Sequence, residues 1–215
     1  MKIVVFGGTG NVGQRIVREA LRRGHDVEVV ARKPETKADW DERVTVEQGD
    51  ITDPQQVAAL ARGADVVVNA ISPRPDGDLP ASSLTAAAES LIEGLGQADG
   101  TRAIIVGGAG TMEVEPGVDL VDSPDFPKAY RNESIQQRKA LNTYRSKAAG
   151  LEWTYIAPAA TFTPGDRTGN YRTSDALLLK DETGRSRISY EDFAVAVLDE
   201  IENPTHVRDR FGVAY

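Results

Sequence analysis

The residues best suited to chemistry stand within the first thirteen positions. Gly7-Gly-Thr-Gly-Asn-Val-Gly13 follows an apolar run, Ile3 to Phe6. It precedes a stretch whose Ile16, Val17, Ala20 and Leu21 share one helical face before Gly24. A strand, a glycine turn and a helix in that order make the seat that a dinucleotide diphosphate requires. Gly7 permits the tight turn, Gly10 opens the backbone to close approach, and Gly13 lets helix and strand pack. Thr9, Asn11 and Val12 complete the expected contact surface. The helix start supplies unpaired N–H groups and a partial positive charge for phosphate oxygens.

Three later strand ends extend that reading. Val27 to Val30 reads as the second strand, after which an acid would bind the ribose 2′-hydroxyl of NAD. Ala31 stands there instead, followed by Arg32 and Lys33. An acid repels a 2′-phosphate, whereas Arg32 can grip one with its planar fork, so NADP(H) is favoured over NAD(H). The alternative leaves both cations as solvated surface. Gly49-Asp50-Ile51 ends the third strand, Val44 to Gln48. Asp50 can accept from an adenine amino group while Ile51 covers the ring, or Asp50 can be a plain turn residue. Asn69-Ala70-Ile71-Ser72 ends the fourth strand with small residues that let a nicotinamide ribose pass, as a buried strand end also would.

A helical Tyr-x-x-x-Lys pair, whose lysine lowers the phenol pKa, would supply an acid. No tyrosine here has lysine four residues on; Tyr144 has Ala148 there and Lys147 one residue short. Tyrosine-assisted alcohol oxidation and sugar epimerisation are both weakened. After the fifth strand, Gly107-Gly-Ala-Gly-Thr111 offers one hydroxyl, Thr111. It can bond a substrate carbonyl or satisfy its own backbone.

Positioning these residues takes a strand–helix alternation. Thr52-Asp-Pro54 starts a helix that Gly63 stops, Val66 to Ile71 is a doubly covered strand, and Asp76-Gly77-Asp78 with Pro80 marks a loop. Ala81 to Ala98 reads as helix, Ala103 to Val106 as strand, Asn132 to Ala149 as helix and Trp153 to Ile156 as strand. A capped helix begins near Ser189, and Phe211 to Ala214 is a short last strand. Right-handed crossovers then give an α/β, Rossmann-like, doubly wound parallel sheet in the order 3-2-1-4-5-6, one domain over residues 1–215. Segments 107–131 and 158–187 interrupt the rhythm and emerge at the carboxyl edge, where ligands bind.

Composition narrows the classes. A net charge of −8 over 215 residues argues against a nucleic-acid footprint. Zero cysteines exclude disulfides and thiolate chemistry, and two histidines, His25 and His206, make a metal cluster unexpected. No apolar run approaches about 18 residues, and the chain opens on a strand rather than a leader. A soluble, cytoplasmic protein is the expectation.

The pattern resembles the atypical short-chain dehydrogenase/reductase superfamily. Gly107-Gly-Ala-Gly-Thr111, Leu151-Glu-Trp-Thr-Tyr-Ile-Ala-Pro158, Pro164-Gly-Asp-Arg-Thr-Gly-Asn-Tyr171 and Ser186-Arg-Ile-Ser-Tyr-Glu-Asp-Phe-Ala194 are similar to its NADH–flavin reductase branch, near the biliverdin reductase B group. Thr111 stands where that branch leads one to expect serine, so the hydroxyl is kept. The resemblance implies hydride transfer from NAD(P)H to free FMN, FAD or a similar conjugated acceptor. A single dinucleotide motif makes flavin a substrate rather than a prosthetic group. It further implies a substrate-side region over 158–187, with Pro158 at the nicotinamide. Phe162 and Tyr171 could stack on a planar acceptor, and Arg167 could meet a phosphate or carboxylate, unless the aromatics merely pack the loop. A non-catalytic NADP(H) sensor is the alternative, and an epimerase or dehydratase is less well supported.

Overall fold

Along the first strand, β1 (Lys2–Phe6), Ile3 and Val5 are buried on one side, and Val4 and Phe6 on the other. A strand so flanked needs helices on both faces. The computed structural model describes residues 1–34, 41–73, 80–98 and 100–215, so the expected loop at Asp76-Gly77-Asp78 lies outside the described residues. After β1 come α1 (Asn11–Arg22), β2 (Asp26–Ala31), β3 (Thr45–Gln48), α2 (Pro54–Ala61) and β4 (Val66–Asn69). The start of α2 follows the sequence closely: Asp53 accepts from the Gln55 and Gln56 amides, and Pro54 takes the first turn.

Next stand α3 (Ser83–Leu95), β5 (Arg102–Val106), a 3-10 turn (Ala109–Thr111) and the hairpin β6 (Glu113–Glu115) with β7 (Val118–Asp119). Then α4 (Lys128–Lys147) leads to β8 (Trp153–Ala157). The chain ends with β9 (Thr161–Thr163), β10 (Arg172–Ser174), β11 (Arg187–Ser189), α5 (Tyr190–Glu202) and β12 (Asp209–Ala214). Helix α4 starts at Lys128 rather than Asn132, because Pro127 holds the extended position just before it.

The main sheet runs β10-β12-β8-β5-β4-β1-β2-β3. Its strands are parallel except β10, which pairs antiparallel with β12. The Rossmann-like order is therefore present, extended at one edge by β12 and β10. Helices α1 and α5 cover one face through Ile16, Val17, Phe193 and Val197. Helices α2, α3 and α4 cover the other.

One connection departs from the expected uniform right hand. From β4 through β5 to β8 the chain steps away from β1 across the α3/α4 face, the opposite sense and face to β1–α1–β2. From β8 to β12 it continues in the same direction but passes over the α1 face, which reverses the hand. The right-handed preference belongs to short strand–helix–strand units. Here a long excursion, pinned by the parallel pair β9–β11, carries the chain across the sheet's rim before α5 begins.

Candidate functional site

The glycine loop is built by backbone proximity. Gly7 turns with φ +79°, a region closed to most side chains. A Cβ there would lie 2.6 Å from the Ala70 carbonyl oxygen, so β1 and β4 converge as only glycine allows. At Gly13 a Cβ would stand 2.2 Å from the Gly7 carbonyl oxygen, which seats α1 directly on the loop. Gly10 differs: its backbone is ordinary and extended (φ −77°, ψ 169°), and no side chain caps α1. Its amide donates to the Gly7 carbonyl at 2.9 Å, and Gln14 Nε2 donates to the Thr9 carbonyl at 2.9 Å. The amides of Asn11, Val12 and Gly13 meet no acceptor among the described residues. This donor set fits a diphosphate.

On the β2 side, Arg32 is exposed, and its guanidinium makes no ion pair among the described residues. Asp50 Oδ1 accepts from the Thr52 amide at 2.9 Å and the Thr52 hydroxyl at 2.8 Å, an Asx-type turn. Its Oδ2 takes no hydrogen bond among the described residues. Ile51 does not offer a ring-sized surface as expected. It is 4% exposed and belongs to the core beneath α2 and α3.

At the centre of the edge, Asn69 is buried and its Oδ1 accepts from the Ile71 amide at 3.2 Å, closing the turn after β4. Ala70 backs onto Gly7, and Ile71 is half-buried beside it. Beyond β5, a Cβ on Gly107 would fall 2.0 Å from Tyr155 Cε1, so the ring of Tyr155 forms the floor of this loop. The Tyr155 hydroxyl donates to Gln137 Oε1 at 2.9 Å and accepts from the Gly108 amide at 3.2 Å. Burial pushes its ionisation far above the usual phenol range, so it stays neutral.

Thr111 presents no open hydroxyl at the edge. It is fully buried, and its hydroxyl donates to the Gly108 carbonyl at 2.8 Å. Arg210 of β12 in turn donates to the Thr111 carbonyl. The alternative given for a loop threonine, satisfaction of local backbone, is what forms.

A residue that sequence reasoning passed over reaches the same edge. Glu133 of α4 accepts from the Ser72 hydroxyl at 3.1 Å through Oε1, and burial raises its pKa. A signal was present: Gln137, Leu141 and Tyr144 form a buried stripe, and Glu133 extends it by one turn toward the helix start.

The substrate-side residues are held within the protein, and for the aromatics the packing alternative is the arrangement that forms. Pro158 is buried at the end of β8. Phe162 packs edge-on against Tyr190 and Phe193, with ring centres 4.6 and 4.9 Å away, and so fastens β9 to α5. Arg167 donates to both carboxylate oxygens of Glu19, each at 2.8 Å. The Tyr171 hydroxyl donates to Asp199. Glu19 is the ninth residue of α1 and Asp199 the tenth of α5, so both partners lie roughly 12–14 Å down their helices from the edge. Arg167 and Tyr171 therefore strap the connection to the helical face instead of lining an acceptor site. Ion pairing with a buried carboxylate outweighs leaving a guanidinium free for a ligand.

The sequence pattern of the NAD(P)H-binding family matches residues 7–204. The chain belongs to this family. Protein YwnB of Bacillus subtilis, itself uncharacterized, is 35% identical over 216 residues, covering 99% of this chain and 98% of that one. A solved Burkholderia pseudomallei structure, described as a "putative exported protein", superposes with a TM-score of 0.91 at 41% identity over 100% of both chains. One from Streptococcus pneumoniae, a "putative NADH-flavin reductase", superposes with a TM-score of 0.88 at 29% identity, covering 100% of this chain and 99% of that one. In this member of the NAD(P)H-binding family, the glycine loop lies where β1, α1 and β4 meet. Among the described residues no helix is long and apolar enough to cross a membrane, and no group of three or more His, Cys, Asp or Glu could hold a metal.

Proposed function

We propose that this protein is a reductase that uses NADPH to reduce a free flavin or similarly conjugated planar acceptor. One observation carries the reading: a diphosphate seat opens onto an edge paved by Gly107 and Gly108, where the hydroxyls of Thr111 and Tyr155 are locked into structure. In this arrangement the amides of Asn11, Val12 and Gly13 receive the diphosphate. Arg32 takes the 2′-phosphate, and the open oxygen of Asp50 takes the adenine amino group. The dinucleotide, when bound, supplies the hydride. The chain holds the reacting rings in contact over the backbone of Gly107 and Gly108 and need not deliver a proton to the hydride acceptor atom.

The same locked hydroxyls also suit a protein that binds NADPH and signals its level without turnover. Following the nicotinamide absorbance with FMN, FAD or a quinone separates the two. Saturable oxidation above the protein-free blank is the expected outcome. Saturable NADPH binding with no oxidation by any acceptor would replace the reductase with the sensor.

A further inference from the structure

We propose that Glu133 receives the ribose hydroxyls of the nicotinamide half of the dinucleotide, and so selects for an unmodified sugar there. The inference rests on the dinucleotide seat, not on the identity of the acceptor. With the diphosphate at the exit of β1 and Arg32 at the exit of β2, the other half must run the opposite way, over β4 and then β5. Adjacent strands lie about 4.8 Å apart, so the first sugar beyond the diphosphate falls over the end of β4. Ser72 follows that end, and Glu133 reaches it from α4.

The carboxyl is under-satisfied in a way that points to a ligand. Oε1 has one donor, Ser72 Oγ at 3.1 Å, while Oε2 has none among the described residues. Glu133 forms no ion pair among those residues, although it is partly buried. Half-buried acids away from the proposed nucleotide path are matched, Glu191 by Arg15 and the Gly165 amide and Asp119 by Arg138. A desolvated carboxylate left short of donors is unfavourable, and two hydroxyl donors correct that. A vicinal diol presents two O–H groups on one side, matched to the two oxygens of a carboxylate. An acid bonded to ribose hydroxyls is the same chemistry by which dinucleotide folds hold the other ribose. A phosphorylated sugar would be repelled at this position.

Calorimetry on the full chain tests the assignment, with NADPH and adenosine 2′,5′-bisphosphate as probes. The second carries the adenine half and its 2′-phosphate but lacks the nicotinamide ribose. Glu133→Ala is expected to weaken NADPH binding roughly tenfold or more, as for loss of charge-assisted hydrogen bonds, and to leave the bisphosphate within about twofold. Glu133→Gln, which keeps an acceptor oxygen, should fall between. An unchanged NADPH affinity in Glu133→Ala, or an equal loss with both probes, overturns the assignment while the diphosphate seat stands. A wild-type chain that binds neither probe overturns the seat and this inference together.

Discussion

Two glycines of one loop are required for different reasons, and substitutions separate them. Gly7 is fixed by its positive φ and by the Ala70 carbonyl, so Gly7→Ala should lower unfolding free energy by at least about 1–2 kcal/mol from backbone strain alone, read by chemical denaturation. Gly10 sits in ordinary extended backbone, so Gly10→Val should keep the melting temperature near wild type and abolish nucleotide binding. Wild-type affinity in that variant would remove the diphosphate from this loop. Arg32→Asp should weaken NADPH by about 1.5–3 kcal/mol and spare NADH, as titration of both nucleotides would show. The strand, glycine turn and helix were legible in the sequence because their signals stand side by side in the first two dozen residues. Arg167 was not, because its partner Glu19 is 148 residues away and nothing local marks the pairing. Ile51 misled for a related reason: an apolar residue after a strand looks alike whether a ligand or the core covers it.

At the scale of elements, the segment after β8 is tied to α1 and α5 by charge. Burial alone would raise the Glu19 carboxyl, but hydrogen bonds from Arg167 and Arg23 hold it at about 2, below its ordinary 4.5. A carboxyl depressed in the folded state adds stability above its unfolded pKa and loses it as pH falls through the folded value. The contribution is therefore complete above about pH 4.5 to 5 and disappears toward pH 2. Melting temperatures measured across that window should fall more steeply for wild type than for Glu19→Gln, whose neutral side chain has no such proton uptake. Equal slopes would mean that the Arg167–Glu19–Arg23 cluster is not maintained in solution. Periodicity made α1, α3, α4 and α5 readable, since each has an apolar stripe. The reversed crossover was not readable, because hand is a property of how distant elements meet and leaves no local pattern.

Across the whole molecule, long-range polar ties join the C-terminal end of the chain to its middle. Arg102 at the start of β5 donates to Glu200 Oε1 at 2.6 Å and to the Glu200 carbonyl at 2.8 Å, both residues being buried. Glu200 keeps donors in the Thr205 and His206 amides when Arg102 is removed, so Arg102→Ala should cost about 1.5–3 kcal/mol in urea unfolding with its midpoint lowered. A loss under about 1 kcal/mol would mean that water reaches Glu200. The tie from Arg210 to the Thr111 carbonyl works over a similar span of chain. During synthesis, then, β1, α1 and β4, which meet at the glycine loop, are all made well before β12, and the β5 loop lacks its Arg210 tie until that last strand is in place.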